Sequence, residues 1–346
     1  MQIAIGALIG NGRSWEDSVD YVIEAEKLGV ASIWTGEAWG FDAMTPLAYI
    51  ASKTSKIKLG TSIIQIGSRT PANLLMSSLA LQSMSDGRFT LGLGASGPQI
   101  MEGFHGINFK NPVRRTRELI EILRMGFSGE RLQYEGQEYT LPRKGGEGKP
   151  IKSSASLPSL NVPIYIAALG PANLELTGEL ADGWIGGSFM PETAEVFLEK
   201  IRTGAKRTGR SIDDIDLQIP VSAEFSDDIE EISKRHAMGY GFEFGAMGSK
   251  NSNFYKNAYS RQGFAEILEE VQNLWIEGNR DSARDLVPVE LALKSNLIGT
   301  DDMIRERLKL YKKVGINTLK VNLAGNSKNE KLETLSRLMN LVNELD

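Results

Sequence analysis

The side chains able to do chemistry in this 346-residue chain gather in short segments that each follow an apolar run. Residues 92–97 read GLGASG, the G-x-G-x-x-G spacing in which missing side chains let a backbone close on a phosphate. That spacing marks a dinucleotide site only where a helix opens directly behind it and an acidic strand end follows. Here Pro98 comes at once, the next amphipathic stretch starts near Pro112, and Glu118 lies inside that stretch. The spacing reads instead as a strand ending in a glycine-rich loop, with Gly97 open to a flat ring or a phosphate.

The segment LGTSIIQIGSRTP places Thr61, Ser62, Gln65 and Ser68 at the end of a strand and Arg69 just ahead of a helix. Two readings stand: ordinary strand packing with a surface arginine, or contact with a cofactor ring at Ser62 and Ile63. In the second reading Arg69 organises the loop. Further on, IYIAALGPANLELTGELADGWIGGS opens a helix at Gly170 and Pro171 and ends a strand at Gly186 and Gly187. A helix start beside a glycine-rich loop makes a cradle for a phosphate.

Glu37 ends the run IWTGE and reads as a buried acid or as a hydrogen-bond acceptor for a ring. Trp39 and Phe41 either wall an apolar pocket or pack the loop. His105, in EGFHG, is the histidine nearest such a loop, and is either structural or in touch with a ligand. His236 reads as structural. Lys110, Arg114, Arg115 and Arg117 cluster at a helix start, a solvated face by default and an anion-binding rim otherwise.

Composition narrows the chemistry. With no cysteine there is no disulfide, thiolate nucleophile, iron–sulfur cluster or cysteine-bound zinc. The 2 histidines cannot assemble a multi-histidine centre, so no metal is expected. A net charge of −5 speaks against a broad nucleic-acid surface. No apolar stretch nears the roughly 20 residues of a membrane helix, and no charged leader with a cleavage site opens the chain. The expectation is a soluble cytoplasmic protein with neither membrane nor nucleic-acid partners. Amides, carboxylates, hydroxyls and aromatics point to an organic cofactor acting on a small-molecule substrate.

The elements that must position these groups alternate short apolar runs with longer amphipathic ones. Strands are predicted over residues 2–8, 32–35, 57–64, 88–92, 163–167, 183–185, 216–222 and 318–322. Helices are predicted over 15–28, 43–53, 71–84, 112–127, 171–180, 194–208 and 303–314. Ser14 suits an N-cap, while Pro71, Pro112 and Pro171 suit first-turn positions. Such alternation implies parallel strands with crossover helices, and eight strands favour a closed α/β TIM barrel. One barrel domain is expected over residues 1–346, with a hairpin and loop insertion near 131–160. A second, mostly helical insertion is expected near 225–295, over the carboxyl-end face where barrel sites sit.

Taken together, LGTSIIQIGSRTPA, DGRFTLGLGASGPQIMEGFHG, PVRRTRELIEILR, YIAALGPANLELTGELADGWIGG and AMGSKNSNFY carry a family resemblance. The chain resembles the bacterial luciferase-like monooxygenase superfamily, in its subgroup of oxidoreductases that use the deazaflavin coenzyme F420. The likeness implies a (β/α)8 barrel with the cofactor at the strands' carboxyl ends. It implies a cis peptide between Ser62 and Ile63 behind the central ring, Glu37 and Gln65 near the ring, and Gly97, Leu169, Gly170, Gly186 and Gly187 close to the cofactor and its phosphate. Two departures matter. The sugar-phosphate dehydrogenases of the superfamily carry a histidine where this chain has Ala38, and a glutamate where it has Gly97.

The leading expectation is hydride transfer between F420 and a small organic substrate, with Glu37 and His105 as catalytic candidates. The proton would come from water, Glu37 or the substrate. An FMN-dependent monooxygenase using molecular oxygen is the alternative, and a non-catalytic flavin-binding protein the third. A homodimer is expected from the same resemblance.

Overall fold

In the computed structural model residues 1–9, 14–155, 161–247 and 253–345 are described. Eight parallel strands form where the sequence places them. They are β1 (Gln2–Gly6), β2 (Ser32–Thr35), β3 (Lys58–Thr61), β4 (Phe89–Gly94), β5 (Ile164–Ala167), β6 (Gly183–Ile185), β7 (Asp216–Phe225) and β8 (Thr318–Leu323). Each strand pairs with the next. β8 then pairs with β1, Thr318 beside Gln2, and the barrel closes.

A helix follows every strand, and local chemistry starts each one. Ser14 Oγ accepts the Asp17 amide at 3.0 Å, and Thr70 Oγ1 accepts that of Asn73 ahead of Pro71. Helices Pro71–Met84, Pro112–Phe127 and Pro171–Leu180 each begin on a proline. The eighth helix, Lys328–Asn343, goes beyond the sequence expectation. Ser327 caps it, and Leu335, Leu338 and Val342 bury one face against the barrel.

Strand side chains alternate between two environments. Ile3, Ile5, Ile33, Leu59, Leu91, Leu93 and Leu319 point outward into the main core beneath the helices. Ala4, Trp34 and Ile185 point inward, with Ile63, Tyr165 and Ala167 packed against them. The interior admits two large rings only because the neighbouring strand carries a glycine at the paired position of each. A Cβ on Gly60 would stand 2.3 Å from the Trp34 ring, and one on Gly183 would stand 2.5 Å from that of Tyr165. The polar tips of both rings are satisfied: Trp34 Nε1 donates to Ser32 Oγ at 2.9 Å, and the Tyr165 hydroxyl donates to Asp216 Oδ2 at 2.6 Å. Asp216 and Gly183 begin their strands, so the rings fill the amino-terminal half of the barrel.

The strand predicted over 57–64 is interrupted. β3 stops at Thr61, the Ser62–Ile63 peptide is cis as the resemblance implies, and Ile64–Gln65 pairs again with β4. Residues 131–142 contain a short antiparallel pair, Tyr134–Glu135 with Thr140–Leu141. Glu118 holds it by accepting the amides of Gln137, Glu138 and Tyr139, each at 2.9 Å. Among the described residues, five α-helices lie between β7 and the outer strand Leu297–Gly299, from Ile229–Ala246 to Val289–Ser295. They share a separate core of Ile232, Phe244, Tyr259, Leu268, Val271 and Leu291. Among the described residues no helix is long and apolar enough to cross a membrane.

Packing inside the barrel makes Gly92 the most confined strand position. Thr61 Oγ1 bonds both its amide and its carbonyl at 2.9 Å, and a Cβ there would meet the Thr61 carbonyl oxygen at 1.8 Å. Gly92→Ala is expected to lose about 3 kcal/mol, as overpacked cores do, read from the urea unfolding midpoint.

Candidate active site

Above the two rings the barrel opens into a cavity of about 1270 Å³, walled by the strand ends and by the helices of residues 229–295. Glu37, Ser62, Ile63, Gln65, Gly97, Leu169, Gly170, Gly186 and Gly187 all line it. Residues spread over 150 positions of sequence thus meet because β2 to β6 end at one rim.

At the exit of β2 and β3 the polar groups are tied to one another. Arg69 forks onto Glu37, Nη1 to Oε1 at 2.6 Å and Nη2 to Oε2 at 2.7 Å. Ser68 Oγ donates to Oε1 at 3.2 Å, and the Ala43 amide donates to Oε2 at 3.2 Å. The pair is largely shielded, at 18% and 9% side-chain exposure, and the bond to Glu37 holds the Arg69 guanidinium above its ordinary range. Every oxygen of Glu37 is spent on the loop. Gln65 Nε2 donates to the Glu37 carbonyl at 2.8 Å, while its Oε1 is buried without a partner. Ile63 lies over Gly94, where a Cβ would meet it at 2.9 Å.

The opposite wall is made of backbone. Gly97 precedes a single turn, Pro98–Met101, and Gly170 precedes the ten-residue helix Pro171–Leu180. A Cβ on Gly170 would meet nothing within 4 Å. Gly186 has no such freedom, because a Cβ would stand 2.3 Å from Ile219. Asn173 Oδ1 and Ser188 Oγ are buried at this wall and unpartnered. Six described residues hold such orphaned atoms, and three of them, Gln65, Asn173 and Ser188, line the cavity. Buried polar atoms are ordinarily paired, so their grouping here marks a place for a ligand.

The helices of residues 229–295 are fastened to these loops. Arg261 Nη2 donates to the Leu169 carbonyl at 2.5 Å, and Gln262 Nε2 donates to that of Ser188 at 2.6 Å. Tyr240, Phe254, Tyr255 and Tyr259 give this side an aromatic lining. Of the segment AMGSKNSNFY, residues 248–252 lie outside the described residues. Asn253 caps the next helix through the Lys256 amide at 3.0 Å, and its Nδ2 donates to the Glu243 and Phe244 carbonyls.

Not every candidate joins the cavity. His105 is absent from its lining; it packs edge-on against Phe104, with Nε2 buried and unpartnered. Phe41 packs on Trp15 outside it, whereas Trp39 borders it. Arg114 and Arg115 pair with Glu138, and Arg117 with Glu179, so these three serve the helix surface. His236, read as structural, does face the cavity. Its Nε2 lies 2.8 Å from Glu224 Oε2, and Arg235 grips the same carboxylate at 2.7 Å. Arg235, assisted by His236, holds Glu224 below the usual carboxylate range against the opposing effect of burial.

Among the described lining residues that escaped the sequence reading, two carry unpaired charge-bearing groups. Lys320 projects inward from β8 and donates from Nζ to Ser62 Oγ at 2.8 Å. Glu243 faces the cavity from helix Ile229–Ala246, and burial pushes its carboxyl up to about 7. Each had a signal: Lys320 is the one charge in the strand TLKVNL, and Glu243 the one charge in the run GYGFEFGAM.

The profile of the luciferase-like monooxygenases matches residues 1–318. A candidate coenzyme F420-dependent oxidoreductase from Mycobacterium tuberculosis is 34% identical over 331 residues, 94% of each chain. A 5,10-methylenetetrahydromethanopterin reductase from Archaeoglobus fulgidus is 28% identical over 86% of each chain. The solved coenzyme F420-dependent tetrahydromethanopterin reductase of Methanopyrus kandleri shares the fold, with a TM-score of 0.79, 23% identity and 97% of each chain covered.

The raised carboxyl of Glu243 has a stability consequence. Its folded pKa of about 7 lies above the unfolded 4.5, so the folded state binds the proton more tightly. Stability therefore falls as pH rises between those two values. Glu243→Gln is expected to match the parent near pH 4 and to exceed it by about 3 kcal/mol near pH 8, read by thermal denaturation at both.

Proposed function

The chain belongs to the luciferase-like monooxygenase family, and from that premise we propose that it is an oxidoreductase moving a hydride between coenzyme F420 and a small organic substrate. The observation that carries the reading is the coincidence, in one cavity, of an open glycine wall with three orphaned polar atoms. A flat ring bearing hydrogen-bonding edges and a phosphate tail needs both. When bound, F420 supplies a ring carbon that accepts or releases a hydride, two electrons with one proton.

Under this reading the chain's own residues divide the work. Leu169, Gly170 and Gly187 take the phosphate through backbone amides at the start of helix Pro171–Leu180, with the Asn173 side-chain amide and the Ser188 hydroxyl as added donors; Gly186, whose own amide donates to the Gln218 carbonyl, leaves room beside them. Ser62 and Ile63 support the back of the ring, Gln65 meets its polar edge, and Gly97 leaves room beside it. Glu37 acts as a positioning residue: through Arg69 it fixes the loop that carries Gln65. The aromatic side chains of residues 240–259 shield the substrate from water, which strengthens every electrostatic contact inside. Glu243, titrating near neutrality, holds or moves the proton at a substrate heteroatom when a carbonyl or polarised double bond is reduced. In that direction the substrate carbon gains the hydride and the heteroatom gains the proton. The working unit is a homodimer, for which the exposed Met76 and Met84 on helix Pro71–Met84 offer an apolar contact.

Fluorescence titration tests the cofactor. F420 is expected to bind at least about tenfold more tightly than FMN, a difference of about 1.4 kcal/mol. Equal or reversed affinities would overturn the assignment in favour of a flavin monooxygenase.

A second variant tests the cradle. Gly170 sits at φ −79° with open space around it, so the fold accepts a side chain there. Gly170→Val is expected to keep the thermal midpoint and weaken F420 binding by about tenfold or more, because the branched side chain occupies the phosphate's approach. Undiminished affinity in the folded variant would make the loop merely structural.

A further inference from the structure

Lys320 is a charge on the barrel side of the cavity that the proposed function leaves unused. It lies inside the barrel between Ala4 of β1 and Pro220 of β7, and its remaining accessible surface faces the cavity. Its two register partners, Ala4 and Pro220, are both apolar. Of the three protons on an ammonium group, one is placed, on Ser62 Oγ at 2.8 Å. No carboxylate among the described residues pairs with it, although Glu37, Glu224 and Glu138 are each held by arginines nearby in sequence or space. Burying an ammonium beside one neutral hydroxyl is unfavourable, and a fold without further use for it would place an apolar residue there. Burial lowers Lys320 to about 8, which leaves the cation predominant at neutral pH.

We propose that Lys320 is a redox-tuning residue whose ammonium stabilises the negative charge that hydride addition places on the cofactor ring. This rests on the F420 reading above. The balance is simple: the oxidised ring receives a hydride, gains two electrons and one proton, and so gains one unit of negative charge. Lys320, held beside Ser62 at the cavity wall, would meet that charge without losing a proton. Positive charge near a flavin-like ring is a lever by which a protein sets the cofactor's potential. Tail charges are common to both redox states and cancel from the comparison.

The test measures affinity for oxidised and for reduced F420 by anaerobic fluorescence and absorbance titration in the parent, Lys320→Met and Lys320→Arg. Lys320→Met is expected to weaken binding of the reduced form at least tenfold more than that of the oxidised form. For a two-electron couple, a tenfold change in that ratio makes the bound potential more negative by about 30 mV. Lys320→Arg, which keeps the charge, is expected to restore most of the ratio, and also serves if the methionine variant fails to fold. Equal weakening of both forms would show that Lys320 only supports Ser62, and would overturn the proposal while leaving the F420 reading intact. Failure of the parent to bind F420 in either state would overturn both.

Discussion

The structure depends on how the barrel interior is filled. Trp34 and Tyr165, with ring centroids 5.6 Å apart, take most of the space toward the strand starts, and Gly60 and Gly183 yield it to them. Neither ring fits if the facing residue has even a methyl group, so the four positions are coupled. The consequence reaches the other end of the barrel. Because the rings plug one half, the carboxyl half can stay open without the fold losing its packed centre. Small residues at the strand ends there, Ala167 and Gly94, line the cavity.

Charge within that cavity is handled unevenly, and the unevenness is informative. Glu37 and Arg69 neutralise each other in a forked pair whose desolvation is offset by extra bonds from Ser68 and the Ala43 amide. Glu224 is similarly held by Arg235 and His236. These groups hold shape. Lys320 and Glu243 are different, since each has its charged form disfavoured by burial without a partner of opposite sign. A site that leaves two such groups poised near neutrality keeps them available to whatever enters.

Much of this was legible in the sequence, for reasons that can be traced to particular residues. The strands were readable because parallel strands buried on both faces appear as short runs of Ile, Leu and Val, such as QIAIG and LQIPV. Pro71, Pro112 and Pro171 located their helices to the residue. The glycine loops were readable because glycine at a strand end has few other uses. The same two-sided burial hid the direction of Lys320: the sequence marks it as the lone charge of its strand, but not whether it points to solvent or into the barrel. Glu243 and His236 were hidden because they face the cavity from a helix whose placement depends on packing, Gly241 against Arg284 and Gly245 against Trp275. His105 misled for the opposite reason. Proximity in sequence to Gly97 does not carry it into the cavity, because the turn Pro98–Met101 intervenes and turns it toward Phe104.

The division between strands and helices also bears on how such a site can be specific. Residues assigned to the cofactor sit on strand ends and on loops bonded to the barrel, where position is fixed by the closed sheet. Glu243, Tyr240, Tyr255 and Phe254 sit on helices with a core of their own, joined to the loops by a few contacts such as Arg261 to Leu169 and Gln262 to Ser188. Changes in that helical core can reshape the substrate side while the Trp34–Gly60 and Tyr165–Gly183 contacts stay untouched. The chemistry common to a family then belongs to the barrel, and the choice of substrate to the helices laid over it. On this view Ala38 and Gly97, where a histidine and a glutamate would serve a sugar phosphate, are not losses. Under the proposed function, substrate contact would then fall to the aromatic wall and Glu243.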